Sequence, residues 1–269
     1  MKVRPLILLC SVLFIQITDM AAQDHSGIEK LGEVRFWQTA NDVSVEGDIA
    51  YVTTGETGLF LFNISDPESI YIEAEYPDPD FPMNKILFAD DRAFIYGDQN
   101  CGIRVIDFSD RNDPRLIRTL LDNYTVNSII LHDEFIIVAT TNYVYVLNIE
   151  DIDNPQIVDQ VNTPAGDIFL QGDRLYMVSG INLKIYNASD LSDIELLGYE
   201  DFRDLTSHLY VEDDLAFVSY RYELEGGLCI IGVSDVDHIR MRCRLKLNVT
   251  VNDLVCKDDI VYIVHPEKV

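Results

Sequence analysis

Short apolar runs alternate with tight polar turns along this chain, and they do so on a repeat. Each unit opens with one apolar run, turns on two or three polar residues and enters a second run, as in "DVSVEGDIAYV" and "SIILHDEFIIVA". The turns are EGD (46–48), DDR (90–92), HDE (132–134), QGD (171–173), EDD (212–214) and KDD (257–259). Anchored on Asp48, Asp91, Glu134, Asp173, Asp214 and Asp259, they recur at spacings of 43, 43, 39, 41 and 45 residues. A third run then closes on an acidic turn: "GLFLFNISDPESI", "CGIRVIDFSDRNDP", "YVYVLNIEDIDNP", "LKIYNASDLSDI" and "GLCIIGVSDVDHI". That turn leads into a fourth run such as "IYIEAEY". Asn or Asp heading such a turn bonds its own backbone, and Pro presets φ, so the signal has a mechanism. Runs this short, bounded by turn residues, predict strands in units of four.

Runs such as "IAYV", "FIIVA", "LYMV" and "LFLF" are apolar at both alternating positions, which means both faces of each sheet are covered. Four-stranded antiparallel units of this length, buried on both sides by their neighbours, suit an all-β fold, a β-propeller of about six blades. A β-sandwich would leave a polar face on each strand and fits less well. Ring closure has a candidate in "IEKLGEVRF" (28–36), which reads as the fourth strand of a unit lacking its first three. The C-terminal "VNDLVCKDDIVYIVHPEKV" supplies the first two strands of that same blade. Its third strand is missing, so either the last blade is incomplete or the product is cut short.

The N-terminus changes the compartment. Lys2 and Arg4, the apolar run from Leu6 to Ile17 and a small-residue site after Ala22 read as a signal peptide over 1–22, leaving 23–269 as the propeller. No later apolar run is long enough for a membrane span, so the product is expected to be secreted, periplasmic or held at the cell surface. With 46 acidic against 20 basic residues the formal charge is −26, which disfavours nucleic acid as a partner. Four cysteines follow the leader, without zinc-ligand spacing. Cys229 and Cys243 are symmetric about the turn near Val236, so a cross-strand disulfide between them is one expectation and two buried thiols the other.

The phrase "IAYVTTGETGLFLFNISDPESI" closely resembles the LVIVD-repeat proteins, exported bacterial chains whose repeats form a propeller-like ring. The likeness covers nearly all of 23–269 and weakens in the fourth repeat. It implies a surface or secreted propeller and supplies no catalytic residues.

Candidate chemistry gathers at one set of positions. Six residues before each turn anchor stand Asp42, Lys85, Ser128, Asp167, His208 and Asp253, preceded by Asn41, Asn84, Asn127, Gly166, Ser207 and Asn252. These begin the innermost strands and are expected at the mouth of the channel. Asp42, Asp167 and Asp253 are oxygen ligands of the kind Ca²⁺ accepts, and with His208 they could also form an acid–base group. The plainer reading is that polar residues there bond strand-end backbone and water. Loops at the same end hold Phe36, Trp37, Phe81, Tyr124, Phe202, Tyr220 and Tyr222, either a binding surface or plugs between blades. "YRYELEGG" (220–227) reads as the longest of these loops. No nucleophile elbow, phosphate loop or metalloprotease motif appears. The favoured reading is a non-enzymatic module for an unknown protein or polysaccharide, without a cofactor. The alternative is a hydrolase or lyase with a cation, such as Ca²⁺, at the channel mouth.

Overall fold

Every predicted turn between a first and a second run pairs two strands, and residue chemistry explains why the chain reverses there. In a computed structural model, which describes residues 40–55, 57–97, 100–202, 205–222, 225–247, 249–257 and 260–264, the residue before the anchor is left-handed in the first five of these turns. Gly47, Asp90, Asp133, Gly172 and Asp213 have φ of 58°, 53°, 50°, 54° and 51°. Gly and Asp are among the few residues that tolerate this region. The anchor residue that follows then offers its carbonyl. Asp48, Asp91, Glu134, Asp173 and Asp214 accept from the N–H of Ile64, Phe108, Ile149, Ala188 and Val233 at 2.7–2.9 Å. The anchor therefore ties the first hairpin to the residue after the third strand.

The chain forms two compact units, one ending at Asn123 and one beginning at Tyr124. In the first, β1 (Asp42–Glu46), β2 (Ile49–Thr53), β3 (Leu59–Asn63) and β4 (Tyr71–Tyr76) form one antiparallel sheet in chain order. A second sheet runs β5 (Lys85–Ala89), β6 (Arg92–Tyr96), β7 (Ile103–Asp107) and β8 (Arg115–Leu120). The second unit begins with β9 (Val126–His132), β10 (Phe135–Thr140), β11 (Val144–Asn148) and β12 (Gln156–Val161). It continues with β13 (Asp167–Gln171), β14 (Arg174–Ser179), β15 (Asn182–Asn187) and β16 (Glu195–Asp201). Then come β17 (Leu205–Glu212), β18 (Leu215–Tyr222), β19 (Glu225–Gly232) and β20 (Arg240–Lys246), and a two-stranded sheet of β21 (Asp253–Lys257) and β22 (Ile260–Val264). The leader, the closing segment 28–36, Phe36 and Trp37 lie outside the described residues. No helix among the described residues is long and apolar enough to cross a membrane.

Within each unit the first strands of successive sheets are neighbours. Side chains from facing sheets fill the space between them. Tyr51, Leu59 and Leu61 of the first sheet meet Phe81, Ile95 and Ile106 of the second, while Val178, Leu183 and Ile185 meet Val211, Val218 and Ile231. The fourth strands form the sheet edges opposite the first strands and range from one-third of residues exposed in β8 to all of them in β20.

Two repeated devices shape the outer half of each sheet. Asp66, Asp110, Asp151, Asp190 and Asp235 each accept the N–H two residues on, at 2.9–3.1 Å. Asn63, Asp107, Asn148 and Asn187 do the same one turn earlier. Many acidic residues of this end are thus turn acceptors. These bonds favour the charged carboxylate: the backbone N–H of Ser109 holds Asp107 below its ordinary pKa, and the Ser192 hydroxyl does so for Asp190. The second device is a β-bulge where the third and fourth strands pair, with a register shift at Leu61/Phe62, Val105/Ile106, Val146/Leu147, Ile185/Tyr186 and Ile230/Ile231.

That bulge decides the cysteine question. Met241 pairs with Ile231, as symmetry about Val236 requires, but beyond the shift Cys243 faces Ile230 and Cys229 faces Arg244. A one-residue slip sends side chains to opposite faces. Cys229 is buried, Cys243 is exposed, and no disulfide joins them.

Candidate functional site

Polar residues at the heads of β1, β9 and β13 reach toward the following sheet. In the first unit, Asn41 Nδ2 donates to the Met83 carbonyl at 3.2 Å and to Asn84 Oδ1 at 2.9 Å. Beside it, Asp42 Oδ2 accepts the Ile86 N–H at 3.0 Å, and Lys85 Nζ lies 4.0 Å from the other carboxylate oxygen. The second unit repeats both contacts at the equivalent positions. Asn127 Nδ2 donates to the Ala165 carbonyl at 2.7 Å, and Asp167 Oδ2 accepts the Leu209 N–H at 2.9 Å. A first strand has one hydrogen-bonded neighbour within its own sheet, so its opening groups need partners elsewhere. Asn41 and Asp42 supply them from the first sheet, and Asn127 and Asp167 do so from two different sheets of the second unit.

Asp167 is the most enclosed member. Its Oδ1 accepts the Ile168 N–H at 2.9 Å, the Ser128 hydroxyl bonds the same carboxylate, and His208 is close enough to act on its charge. Burial pushes its pKa up, and the Leu209, Ser128 and Ile168 bonds and the His208 charge oppose that rise. Next to it, Ser207 and Ser219 share a bond of 2.8 Å and Ser219 Oγ accepts the His208 N–H at 2.9 Å. Asp253 Oδ1 accepts the N–H of Leu254 at 2.8 Å, and both Asn252 and Asp253 are exposed. The structure thus brings Ser128, Asp167 and His208 together, and separately Asn41, Asp42, Asn84 and Lys85. Among the described residues no three His, Cys, Asp or Glu side chains converge as a metal site would require. The bonding of Asn41 and Asn127 to carbonyls is what the sequence reading did not specify; the recurrence of Asn before the first strand in four of six units is the signal that carries it.

The aromatic residues divide differently. Phe81, Phe202 and Tyr220 are buried, 2%, 4% and 4% exposed, so they plug the sheets and form no contact surface. Arg104 lies 4.8 Å from the Phe81 ring, and Tyr124 meets Tyr145 edge to face at 5.5 Å. The stretch 220–227 is not a long loop, which corrects the sequence reading. Tyr220 pairs with Gly227, Arg221 with Gly226 and Tyr222 with Glu225, so β18 and β19 extend as one hairpin. Glycine makes this possible: a Cβ on Gly227 would stand 2.0 Å from the Leu245 carbonyl oxygen and 2.8 Å from the Tyr220 ring. Tyr220 instead donates to that carbonyl at 3.3 Å, under the Arg244 guanidinium 4.2 Å from its ring centre.

No family model matches the chain, and no curated protein matches it. Solved structures do. The β-propeller domain of Cps50 (Swd1) from Myceliophteria thermophila aligns over 80% of this chain and 75% of its own, with a TM-score of 0.61 at 11% identity. A chain of the Mitotic Checkpoint Complex aligns over 86% of this chain and 74% of its own, at 0.67 and 12%. A candidate 6-phosphogluconolactonase from Bacteroides uniformis covers 82% and 75%, at 0.67 and 8%. At these identities the likeness is one of fold, and it spans proteins of unlike description. The chain is all-β, made of repeated antiparallel sheets of the kind seen in β-propellers.

Proposed function

We propose that this chain is an exported, non-enzymatic β-propeller of the LVIVD-repeat kind, acting as a binding or scaffold module for a protein or polymer at the cell surface or in the periplasm. In this reading residues 1–22 direct export, and 28–36 complete the last of about six blades beside β21 and β22. One observation carries the non-enzymatic part. Two of the three carboxylates that a catalytic mouth would need, Asp42 and Asp167, are engaged with the backbone N–H groups of Ile86 and Leu209, and the third, exposed Asp253, accepts the N–H of Leu254. A carboxylate so committed is a poor general base, because it must break a structural bond to act. The hydrolase or lyase alternative draws on Asp167, whose raised pKa beside His208 is the kind of shift acid–base chemistry uses. A panel of ester, lactone, phosphoester and glycoside substrates separates the two. The proposal expects no saturable turnover; turnover lost on His208→Ala would overturn it.

A further inference from the structure

Strand β20 reads Arg-Met-Arg-Cys-Arg-Leu-Lys, and all seven residues are exposed. It is the outermost strand of its sheet, paired with β19 on its inner side. Four of the chain's 20 Lys and Arg residues fall in this one strand, against 46 Asp and Glu overall. Charge on an edge strand guards against aggregation, but either sign serves that purpose. Strand β4 carries Glu73 and Glu75, and β16 carries Glu195, Glu200 and Asp201. Strand β8 carries Arg115 and Arg118, and β20 is the described outer strand in which a cation stands at every second position along the whole strand.

The bulge distributes those cations to both sides of the sheet. Arg244 stacks over Tyr220, in the cluster that holds Cys229 and Ile231. Arg242 lies against Gly232, where an added Cβ would come 2.5 Å from its Nε. Gly232 follows Ile231 and so faces the other way. On that side Arg240 and Arg242, with Ser234, Asp235 and His238, line an open surface depression.

We infer that β20 docks an acidic, extended polypeptide by strand addition, with carboxylates of the added strand meeting cations on both faces. Successive side chains of a strand alternate between faces, so a contiguous acidic run fits this edge better than an alternating one. An added polypeptide also pairs its own N–H and C=O groups with the edge, which a polysaccharide does not. The inference rests on the binding-module reading and deepens it by naming a surface and a partner chemistry.

The test is fluorescence anisotropy with a fluorescein-labelled oligoglutamate peptide. Saturable binding that weakens with salt is expected, and Arg240→Gln with Arg242→Gln should weaken it at least about fivefold. Both side chains are exposed, so an unchanged circular dichroism spectrum will show that the variant folds. The same peptide N-methylated at alternate residues should bind at least about tenfold more weakly. Equal binding by the variant, or by the N-methylated peptide, would overturn the inference. Tighter binding of a heparin-type polysaccharide, with the same dependence on Arg240 and Arg242, would overturn it in favour of a carbohydrate. Failure here without turnover leaves the binding-module reading standing, whereas turnover abolished by His208→Ala defeats that reading whatever β20 does.

Discussion

Asp42 in the first unit and Asp167 in the second perform the same task, each accepting a backbone N–H from the next first strand. Asp42 is the acceptor for the N–H of Ile86, a residue 4% exposed. Asp42→Ala leaves that donor without its partner and should cost about 1–3 kcal/mol, measured by denaturant titration, with Asp42→Asn losing less because an acceptor remains. Asp167 adds a pH dependence. Its folded pKa is raised by burial above the unfolded value near 3.9, so the native state holds a proton that the unfolded state has released. Its contribution is therefore fully present at low pH and is lost as pH rises through the folded pKa. Asp167→Asn does not titrate, so its stability should gain on wild type as the pH rises above the unfolded value of about 3.9. Melting curves taken upward from that pH check this, and a constant difference would contradict it. The turn aspartates Asp107, Asp190 and Asp235 have the opposite sign, since their depressed values make stability fall as the solution is acidified below about pH 4.

Strand pairing shows how far residue pattern reaches and where it stops. The four-run unit, its turns and its burial on both faces are legible because period-two apolar runs and Gly or Asp turns are local signals. The bulge at Arg242 is not, since nothing in "RMRCRLK" marks where a backbone residue will be left over. Cys229 and Cys243 consequently miss each other by one position. Native protein should alkylate at Cys243 and leave buried Cys229 unmodified until it is unfolded; peptide mapping that found the two linked would reject the register. The segment 220–227 misled for a related reason. Its two glycines read as loop, whereas here they let the fourth strand and the Tyr220 ring approach closely. Gly227→Ala should accordingly destabilise by about 1–3 kcal/mol or more in thermal or urea unfolding, through steric overlap with Leu245. The polar mouth residues are legible as a set, with strand-end backbone as the plainer partner; which N–H or carbonyl each one takes is not, because that group lies on a neighbouring sheet.

At the scale of the whole molecule, a formal charge of −26 and a repeated fold shared with proteins of unlike description leave the surfaces to decide function. The inner strand ends described above are bonded within the fold, whereas the outer edge of β20 is exposed. Asp42 and Asp167 bond the Ile86 and Leu209 N–H groups of the adjacent sheets, a role that requires no cation. Calorimetric melting of wild type, Asp42→Ala and Asp167→Ala, each with and without calcium, tests this most directly. The account predicts that both variants melt several degrees lower, about 2–4 °C for each kcal/mol lost, by the same margin in either condition. A calcium-dependent rise in wild type that both variants lose would contradict it.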